Sequence, residues 1–305
     1  KRVGLNPAMS AFLQLWEEGV LAIVEGVGYE NPNYSHFQST HIWQTADPTS
    51  RLSEGHHGWL GRYLALEDRG SQGFFKGLSV GRVLSNTLRG SYSAIPTVSS
   101  LNSYRLQADP KQRQMGQLQV QAIMGLYDDS QNPGRYTQLF KNEFMSAYES
   151  SEALIKADET YRPIAQYPDT RFAQELKLLA SVITQNLGMR VGHVTLSGFD
   201  THAGQKGEHE QLLTVLSEGL NSFYRDLQSH GVDRDVVIMT WSEFGRRVKG
   251  NASDGTDHGS AAPLFILGTP VRGGLYGEQP TFLNLDSGNL RFTTDFRNVY
   301  KTVLE

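Results

Sequence analysis

The hydrophobic pattern alternates between short apolar runs and longer amphipathic stretches. The apolar runs predict buried strands at residues 21–29, 77–81, 191–199, 235–241 and 263–268. Helical periodicity lies between and around them, at residues 7–18, 59–70, 208–231 and 294–304. We expect Thr294 or Asp295 to cap the last helix. This alternation predicts an α/β fold, a three-layer α/β/α sandwich with a mainly parallel central sheet.

One long stretch interrupts the alternation. Residues 108–188 are mostly helical by pattern and rich in Gln, Lys, Glu and Leu. We interpret them as a helical insertion that caps one face of the sheet within a single domain spanning residues 1–305.

Composition narrows the function classes. The 28 basic and 32 acidic residues give a net charge of −4. This charge gives no electrostatic reason to expect nucleic acid as a partner. No apolar run reaches the roughly 18 residues of a membrane span. The chain has no cysteine, so any metal site must use His, Asp, Glu or backbone oxygen.

In parallel sheets, ligands bind beyond the carboxyl ends of the strands. The loop after residues 191–199 contains Asp200 and His202, whose side chains share a face if the backbone stays extended. A carboxylate with an imidazole suits Zn, Mn or Fe better than Mg or Ca. The alternative is a polar turn in which Asp200 caps the helix that begins near Gly207.

The next loop, "SEFGRR", follows the apolar run 235–241. Glu243 could ligate a metal there, and Arg246 could hold an anionic substrate group through two hydrogen bonds. A surface ion pair at the junction of strand and loop is the alternative.

The segment "GTDHG" places Asp257 and His258 between Gly255 and Gly259. Adjacent residues of an extended strand point to opposite sides, so a shared metal requires the unusual backbone angles that the glycines permit. The alternative is a turn with the histidine packed on the sheet edge.

Ser35 stands where the strand 21–29 gives way to a helix, in "NPNYSHF". It is either an ordinary N-cap or a hydroxyl placed where a helix N-terminus stabilises a phosphoryl or sulfuryl anion. A nearby metal would make that hydroxyl a nucleophile. Asn33 and His36 are its neighbours.

Together these segments resemble the domain-of-unknown-function-1501 family of the alkaline phosphatase-like superfamily, which includes sulfatases and cofactor-independent phosphoglycerate mutases. The matching stretches are "LAIVEGVGYENPNYSHF", "GWLGRYL", "GFDTHAGQ", "SEFGRRV", "GTDHGSAAPLFILG", "VRGGLYG" and "TDFRNVY". The resemblance implies an α/β/α sandwich and a metal-dependent hydrolase of phosphate or sulfate esters, with a small anionic ester as substrate.

The resemblance also implies residue roles. Ser35 matches the nucleophile, with His36 as a further catalytic candidate, and Asn33 and Arg246 as substrate-binding groups. The implied metal ligands are Asp200, His202, Glu243 and His258, with Asp257 as a ligand or an outer partner. Zn or Mn is the expected ion. Phe244 stands where the superfamily carries a histidine, so the expected number of bound ions is either one or two.

Relatives usually carry an N-terminal strand with a Gly-rich, Asp-containing loop, and we expect that segment to precede Lys1. Many relatives also carry export signals, which implies a periplasmic or extracellular location. Two alternatives to the hydrolase remain: a non-catalytic exported binding protein on the same scaffold, and a phosphosugar mutase.

Overall fold

A computed structural model describes residues 3–67, 76–90, 95–100, 104, 113–128 and 134–305. The helices are α1 Ser10–Glu17, α2 His36–Thr45, α3 Trp59–Glu67, α4 Arg113–Asp128, α5 Arg135–Thr160, α6 Arg171–Thr184, α7 Gln205–Ser229 and α8 Phe296–Leu304. The strands are β1 Leu21–Gly28, β2 Gly77–Val80, β3 Thr97–Val98, β4 Val191–Val194, β5 Ile238–Met239, β6 Gly245–Gly250, β7 Thr256–Gly259, β8 Ala262–Leu267, β9 Gly274–Tyr276 and β10 Thr294–Asp295. The protein is a mixed α/β structure.

The larger sheet is built around β1. One edge of β1 pairs antiparallel with β8, with Ile23 opposite Phe265. The other edge pairs parallel with β9 and, further along, with β10. Beyond β8 lies β5, which is antiparallel to it. In a second sheet, β2 pairs parallel with β3 and β4, and β6 and β7 form a separate antiparallel hairpin.

The strand directions therefore differ from a single, mainly parallel sheet. Between β5 and β8 the chain forms the β6–β7 hairpin and has no helix. A parallel neighbour needs a long crossover, usually helical, whereas a short connection returns the chain antiparallel. The reversed direction of β8 follows from this missing crossover.

Side chains of β1 point alternately to two apolar clusters. Leu21 and Ile23 belong to a cluster shared with α1, α6 and α7 and with β2 and β3 of the second sheet. Ala22 and Val24 belong to a cluster shared with α2 and α8. The larger sheet is thus covered by helices on both faces, as the period of two in its sequence requires.

Within the predicted helical stretch, residues 108–188, the structure has α4, α5 and α6, while residues 108–112 and 129–133 lie outside the described residues. Of these helices, α6 packs into the core through Leu176, Leu179 and Val182. The last helix is capped by Asp295, whose carboxylate accepts from the N–H of Arg297. None of the helices in the described ranges is both long and apolar enough to cross a membrane.

A buried carboxylate on α7 fastens the segment that joins α5 to α6. Asp226 is fully buried. It accepts the hydroxyls of Tyr161 and Tyr167 and the N–H groups of Ile164, at 2.8 Å, and Ala165, at 3.2 Å. Burial, and next the bond to Asp226, raises the pKa of Tyr161, so its hydroxyl stays a donor. Asp226 therefore ties the helical stretch to the core.

We expect Asp226→Ala to lower the free energy of unfolding by about 3 kcal/mol or more, because four donors, among them the buried hydroxyl of Tyr161, lose their acceptor. Urea denaturation followed by circular dichroism measures the change. The matched control Asp158→Ala removes an exposed carboxylate from α5 and should shift stability by no more than about 0.5 kcal/mol. Equal losses in the two variants would contradict this role.

Candidate metal site

Asp200 lies just after β4, and three imidazoles converge on its carboxylate. The Nε2 atoms of His202 and His258 each lie 2.9 Å from Asp200 Oδ1. Nε2 of His36 lies 3.1 Å from the other oxygen, Oδ2. The two Nε2 atoms of His202 and His258 are themselves 2.9 Å apart. One carboxylate oxygen and two ring nitrogens thus form a triangle with equal sides.

The far nitrogens of two of these rings have their own acceptors. His258 Nδ1 lies 2.7 Å from the backbone carbonyl of Tyr34. His36 Nδ1 lies 2.8 Å from Glu243 Oε1. A carbonyl or carboxylate at Nδ1 holds the proton there and leaves the Nε2 lone pair free. In both rings Nε2 is turned toward Asp200.

His202 follows the same arrangement at longer range. Its Nδ1 lies 3.5 Å from Asp257 Oδ1, and Asn251 Nδ2 donates to the same oxygen at 3.3 Å. Asn251 also donates to the carbonyl of His202 at 2.9 Å. The bond from Asn251, and next that from His202, lowers the pKa of Asp257, so it stays ionised behind the ring. Asp257 and Glu243 therefore contact histidines on the side away from Asp200.

The cluster brings three imidazole nitrogens close to the two oxygens of one carboxylate. Nε2 of His36 is buried and has no hydrogen-bond partner, although Asp200 Oδ2 is only 3.1 Å away. Burial lowers the pKa of His36, but its contacts with Glu243 and Asp200 outweigh burial and raise it. Burial opposes ionisation of Asp200, yet its contacts with His258, Arg246 and His36 hold its pKa well below its usual range. The ring nitrogens and the carboxylate oxygens of this cluster could therefore serve together as ligands of a cation.

The ligand atoms lie close enough together for one ion. Two ligands at about 2.1 Å from an ion lie about 3 Å apart at right angles and about 3.4 Å apart in the tetrahedral arrangement typical of Zn. The three separations of 2.9 Å among Asp200, His202 and His258 are close to the first value and are also ordinary hydrogen-bond distances. His36, Asp200 and His258 also form a group whose ligand atoms all lie within 4.8 Å of one another.

Arg246 is held by protein atoms. Its guanidinium donates to Asp200 Oδ1 at 2.8 Å, to the Phe199 carbonyl at 2.7 Å and to the Thr256 carbonyl at 2.8 Å. From the sequence, this guanidinium was predicted to hold an anionic substrate group. In the structure it neutralises Asp200 and joins the loop after β4 to β7.

Ser35 is the N-cap residue of α2 and directly precedes His36. Its side chain makes no capping hydrogen bond, and the residue is exposed. Asn33 Oδ1 instead accepts the N–H of Ser35 at 2.8 Å. The structure thus places Asn33 and Ser35 beside the cluster through their neighbour His36. No hydrogen bond joins the Ser35 hydroxyl to the cluster in the described ranges.

Asp200 does not cap the following helix. The N-cap of α7 is Gly204, with no side-chain bond. Phe244 stacks on the ring of His258, with centroids 4.2 Å apart, and tilts over His36 at 4.9 Å. It closes one side of the cluster with an apolar surface that has no lone pair to offer.

The β6–β7 hairpin brings His258 to Asp200 by close backbone contact. A Cβ on Gly255 would lie 2.1 Å from the carbonyl carbon of His202, and one on Gly259 would lie 2.4 Å from that of Arg246. A metal shared by Asp257 and His258 was predicted to need the unusual backbone angles that Gly255 and Gly259 permit. Neither has a positive φ, so these glycines serve close approach instead.

Two features of the site were not predicted from the sequence. The Tyr34 carbonyl that orients His258 leaves no side-chain signal. The convergence of His36 on Asp200 was also missed, because residues 36 and 200 come from distant segments. The spacing of Ser35 and His36 at a strand-to-helix junction was the available signal.

Comparison with known proteins gives a family. The model of a family described as a protein of unknown function, DUF1501, matches residues 22–302. The chain belongs to the DUF1501 family. No curated protein and no solved structure matches it significantly. Every residue of the cluster lies inside the region matched to DUF1501.

We expect Gly255→Ala to destabilise this DUF1501 protein by about 2 kcal/mol, because the added methyl displaces the backbone of His202. The histidine ring signals of the site should shift in NMR spectra. The control Gly207→Ala adds a methyl to α7 where no atom lies within 4 Å and should stabilise the protein by up to about 1 kcal/mol. Unchanged stability and unchanged ring signals in Gly255→Ala would refute the close contact.

Proposed function

We propose that the protein is a metal-dependent hydrolase of phosphate or sulfate esters. The observation that carries the proposal is the convergence of three imidazole Nε2 atoms on the carboxylate of Asp200. The resemblance to the alkaline phosphatase-like superfamily supports it, because that superfamily uses Asp and His ligands beside a hydroxyl nucleophile.

Asp200, His202 and His258 would hold one ion, and His36 would approach from the second oxygen of Asp200. Imidazole and carboxylate ligands favour Zn, and Mn is the second choice. Glu243 and the Tyr34 carbonyl would fix the ring orientations, as outer partners of metal-bound histidines do. Phe244 occupies the remaining side, which favours one ion over two.

The bound ion would supply charge stabilisation to the ester oxygens in the transition state. The residues of the chain would do the rest. Ser35 lies exposed at the N-terminus of α2, where backbone N–H groups favour an anion. As its oxygen bonds to phosphorus or sulfur, the bond to the alcohol oxygen breaks, and the alcohol takes up the proton that Ser35 loses. Water then splits the seryl ester and restores Ser35.

A non-catalytic binding protein is the second candidate. It is favoured by Arg246, whose guanidinium is already occupied by Asp200, Phe199 and Thr256 and offers little to a substrate anion. Such a protein would keep the cluster as a structural metal site or as a metal-free ion-pair network.

We expect about one Zn or Mn ion per chain after equilibrium dialysis, measured by mass spectrometry of the elements. Glu243→Gln should weaken binding about 10–100-fold, since His36 loses a charged partner, and His202→Ala and His258→Ala should weaken it further. His57→Ala, an exposed histidine away from the cluster, is the control. Failure of the intact chain to bind either metal would remove the basis of the proposal.

We expect Ser35→Ala to reduce turnover of aryl phosphates or sulfates about 1,000-fold or more while metal content stays unchanged. Ser229→Ala removes an exposed hydroxyl at the end of α7 and should leave turnover unchanged. Full turnover in Ser35→Ala would exclude Ser35 as nucleophile. No turnover by the metal-loaded intact chain would favour the binding protein.

A further inference from the structure

A small pocket lies beside the cavity that reaches the cluster around Asp200. The cavity is lined by His36, Asp200 and Glu243 of the cluster and also by Asn86 and Arg89. The pocket has a volume of about 370 Å³, and Asn86 and Arg89 line it as well. The pocket is therefore adjacent to the cavity, and a molecule bound at the cluster can extend toward it.

The helix α2 sets the distance between the pocket and the cluster. His36, Thr40 and Gln44 are spaced four residues apart, and all three line the cavity. His41 of the same helix lines the pocket. With a rise of about 1.5 Å per residue, His41 and Gln44 lie about 8–12 Å along the helix from His36. The pocket is thus about 10 Å from the cluster.

The lining of the pocket carries several hydrogen-bond donors. The guanidinium of Arg89, the imidazole of His56 and the amide of Asn86 belong to it, together with the buried His41. Among the described residues, none that lines the pocket is Asp or Glu. A lining that combines a guanidinium with other donors and has no carboxylate favours an anion.

Arg89 supplies the permanent positive charge of this lining. Its side chain is exposed, and it makes no hydrogen bond or ion pair within the described part of the chain. Arg246, in contrast, already donates to Asp200 and to two backbone carbonyls. Arg89 can therefore hold an anion through two parallel hydrogen bonds, which Arg246 is poorly placed to do.

A nearby carboxylate, that of Asp47, does not oppose this role. It accepts the hydroxyl of Thr49 at 2.7 Å and the N–H of the same residue at 2.9 Å. These two bonds, and to a smaller extent the charge of His56, lower the pKa of Asp47. Asp47 is not among the residues that line the pocket. Its charge is therefore used within its own turn.

The segment "GWLGRYL", residues 58–64, fixes the backbone that carries Arg89. The N–H of Gly58 donates to the carbonyl of Arg89 at 2.9 Å. A Cβ on Gly61 would lie 2.1 Å from the same carbonyl oxygen. Any side chain at Gly61 would therefore displace Arg89, and the two glycines set the point from which its guanidinium enters the pocket.

The other walls of the pocket are joined to α2. Arg62, also in "GWLGRYL", donates to the carbonyl of His57 at 2.6 Å and to that of Thr45 at 2.8 Å. Nε2 of His41 lies 2.7 Å from the hydroxyl of Ser50. These bonds hold the loops around the pocket in place before a ligand binds, which lowers the cost of ordering them.

We propose that this pocket binds a second anionic group of the substrate. The proposal rests on the hydrolase function proposed above. The alcohol part of the phosphate or sulfate ester would carry a carboxylate, sulfate or phosphate about 10 Å from the ester. Arg89 would hold that group through two hydrogen bonds, and Asn86 and His56 would donate to it. The segment "GWLGRYL" would then serve to position Arg89.

Binding of inorganic sulfate tests the pocket without metal or turnover. With a chelator present, we expect sulfate to shift the ring signals of His41 and His56 in NMR spectra until the pocket is saturated. Arg89→Gln should weaken this binding about 10-fold or more, because it removes the charge-assisted hydrogen bonds. The control Arg82→Gln removes an exposed cation outside the pocket and should leave binding unchanged. Absent shifts, or equal binding by Arg89→Gln, would overturn the anion site.

Kinetics of the metal-loaded chain test the role in substrate binding. The substrates are an alkyl phosphate with a terminal carboxylate about 10 Å from the phosphorus and its uncharged methyl ester. We expect the lower KM for the carboxylate. Arg89→Gln should raise that KM about 10-fold with kcat nearly unchanged, and it should leave the KM of the methyl ester as it was.

The outcomes separate this proposal from the hydrolase itself. Equal KM values for the two substrates in the intact chain would overturn the second anionic group and leave the hydrolase standing. Hydrolysis of neither substrate, by a chain whose pocket binds sulfate, would contradict the hydrolase and the substrate role together. The pocket would then remain the anion site of a binding protein.

Discussion

The carboxylate of Asp200 is the interaction on which the site depends. Three imidazoles and one guanidinium contact its two oxygens, and these partners come from α2, from the loop after β4 and from the β6–β7 hairpin. Removing the negative charge would leave Arg246 and the ring nitrogens facing one another without compensation. The orientation of α2, of the loop after β4 and of the β6–β7 hairpin is therefore coupled through this one group.

Backbone contacts set the distances that the carboxylate exploits. Gly255 lies against His202, so the hairpin sits closer to the loop after β4 than any side chain would allow. Gly259 lies against Arg246, so the two strands of the hairpin are equally close to each other. Register within the hairpin then places His258 opposite Arg246. Because the approach is backbone to backbone, it is rigid, and rigidity is what a constellation of converging ligand atoms needs.

The polar cluster lies at one end of an apolar core that contains two separate sheets. One core cluster contains residues of both sheets, so α6 and α7 hold the sheets in a common core although no strand joins them among the described residues. Both sheets lead to the polar cluster, since Asp200 follows β4 and Glu243 follows β5.

The sequence by itself determined which segments are helices and strands in most places, since apolar periodicity follows directly from burial. It also marked Asp200, His202, Glu243 and His258, because such residues are unusual directly beside apolar strands. Their separate roles were decided by the tertiary structure alone. Only folding brings His36 into contact with Asp200. Folding also places Glu243 behind the ring of His36 and Asp257 behind the ring of His202. The guanidinium of Arg246 then donates to backbone carbonyls. The sequence predicted a mainly parallel sheet, but β8 runs antiparallel to both of its neighbours. Its direction is decided by three-dimensional packing and by a connection without a helix.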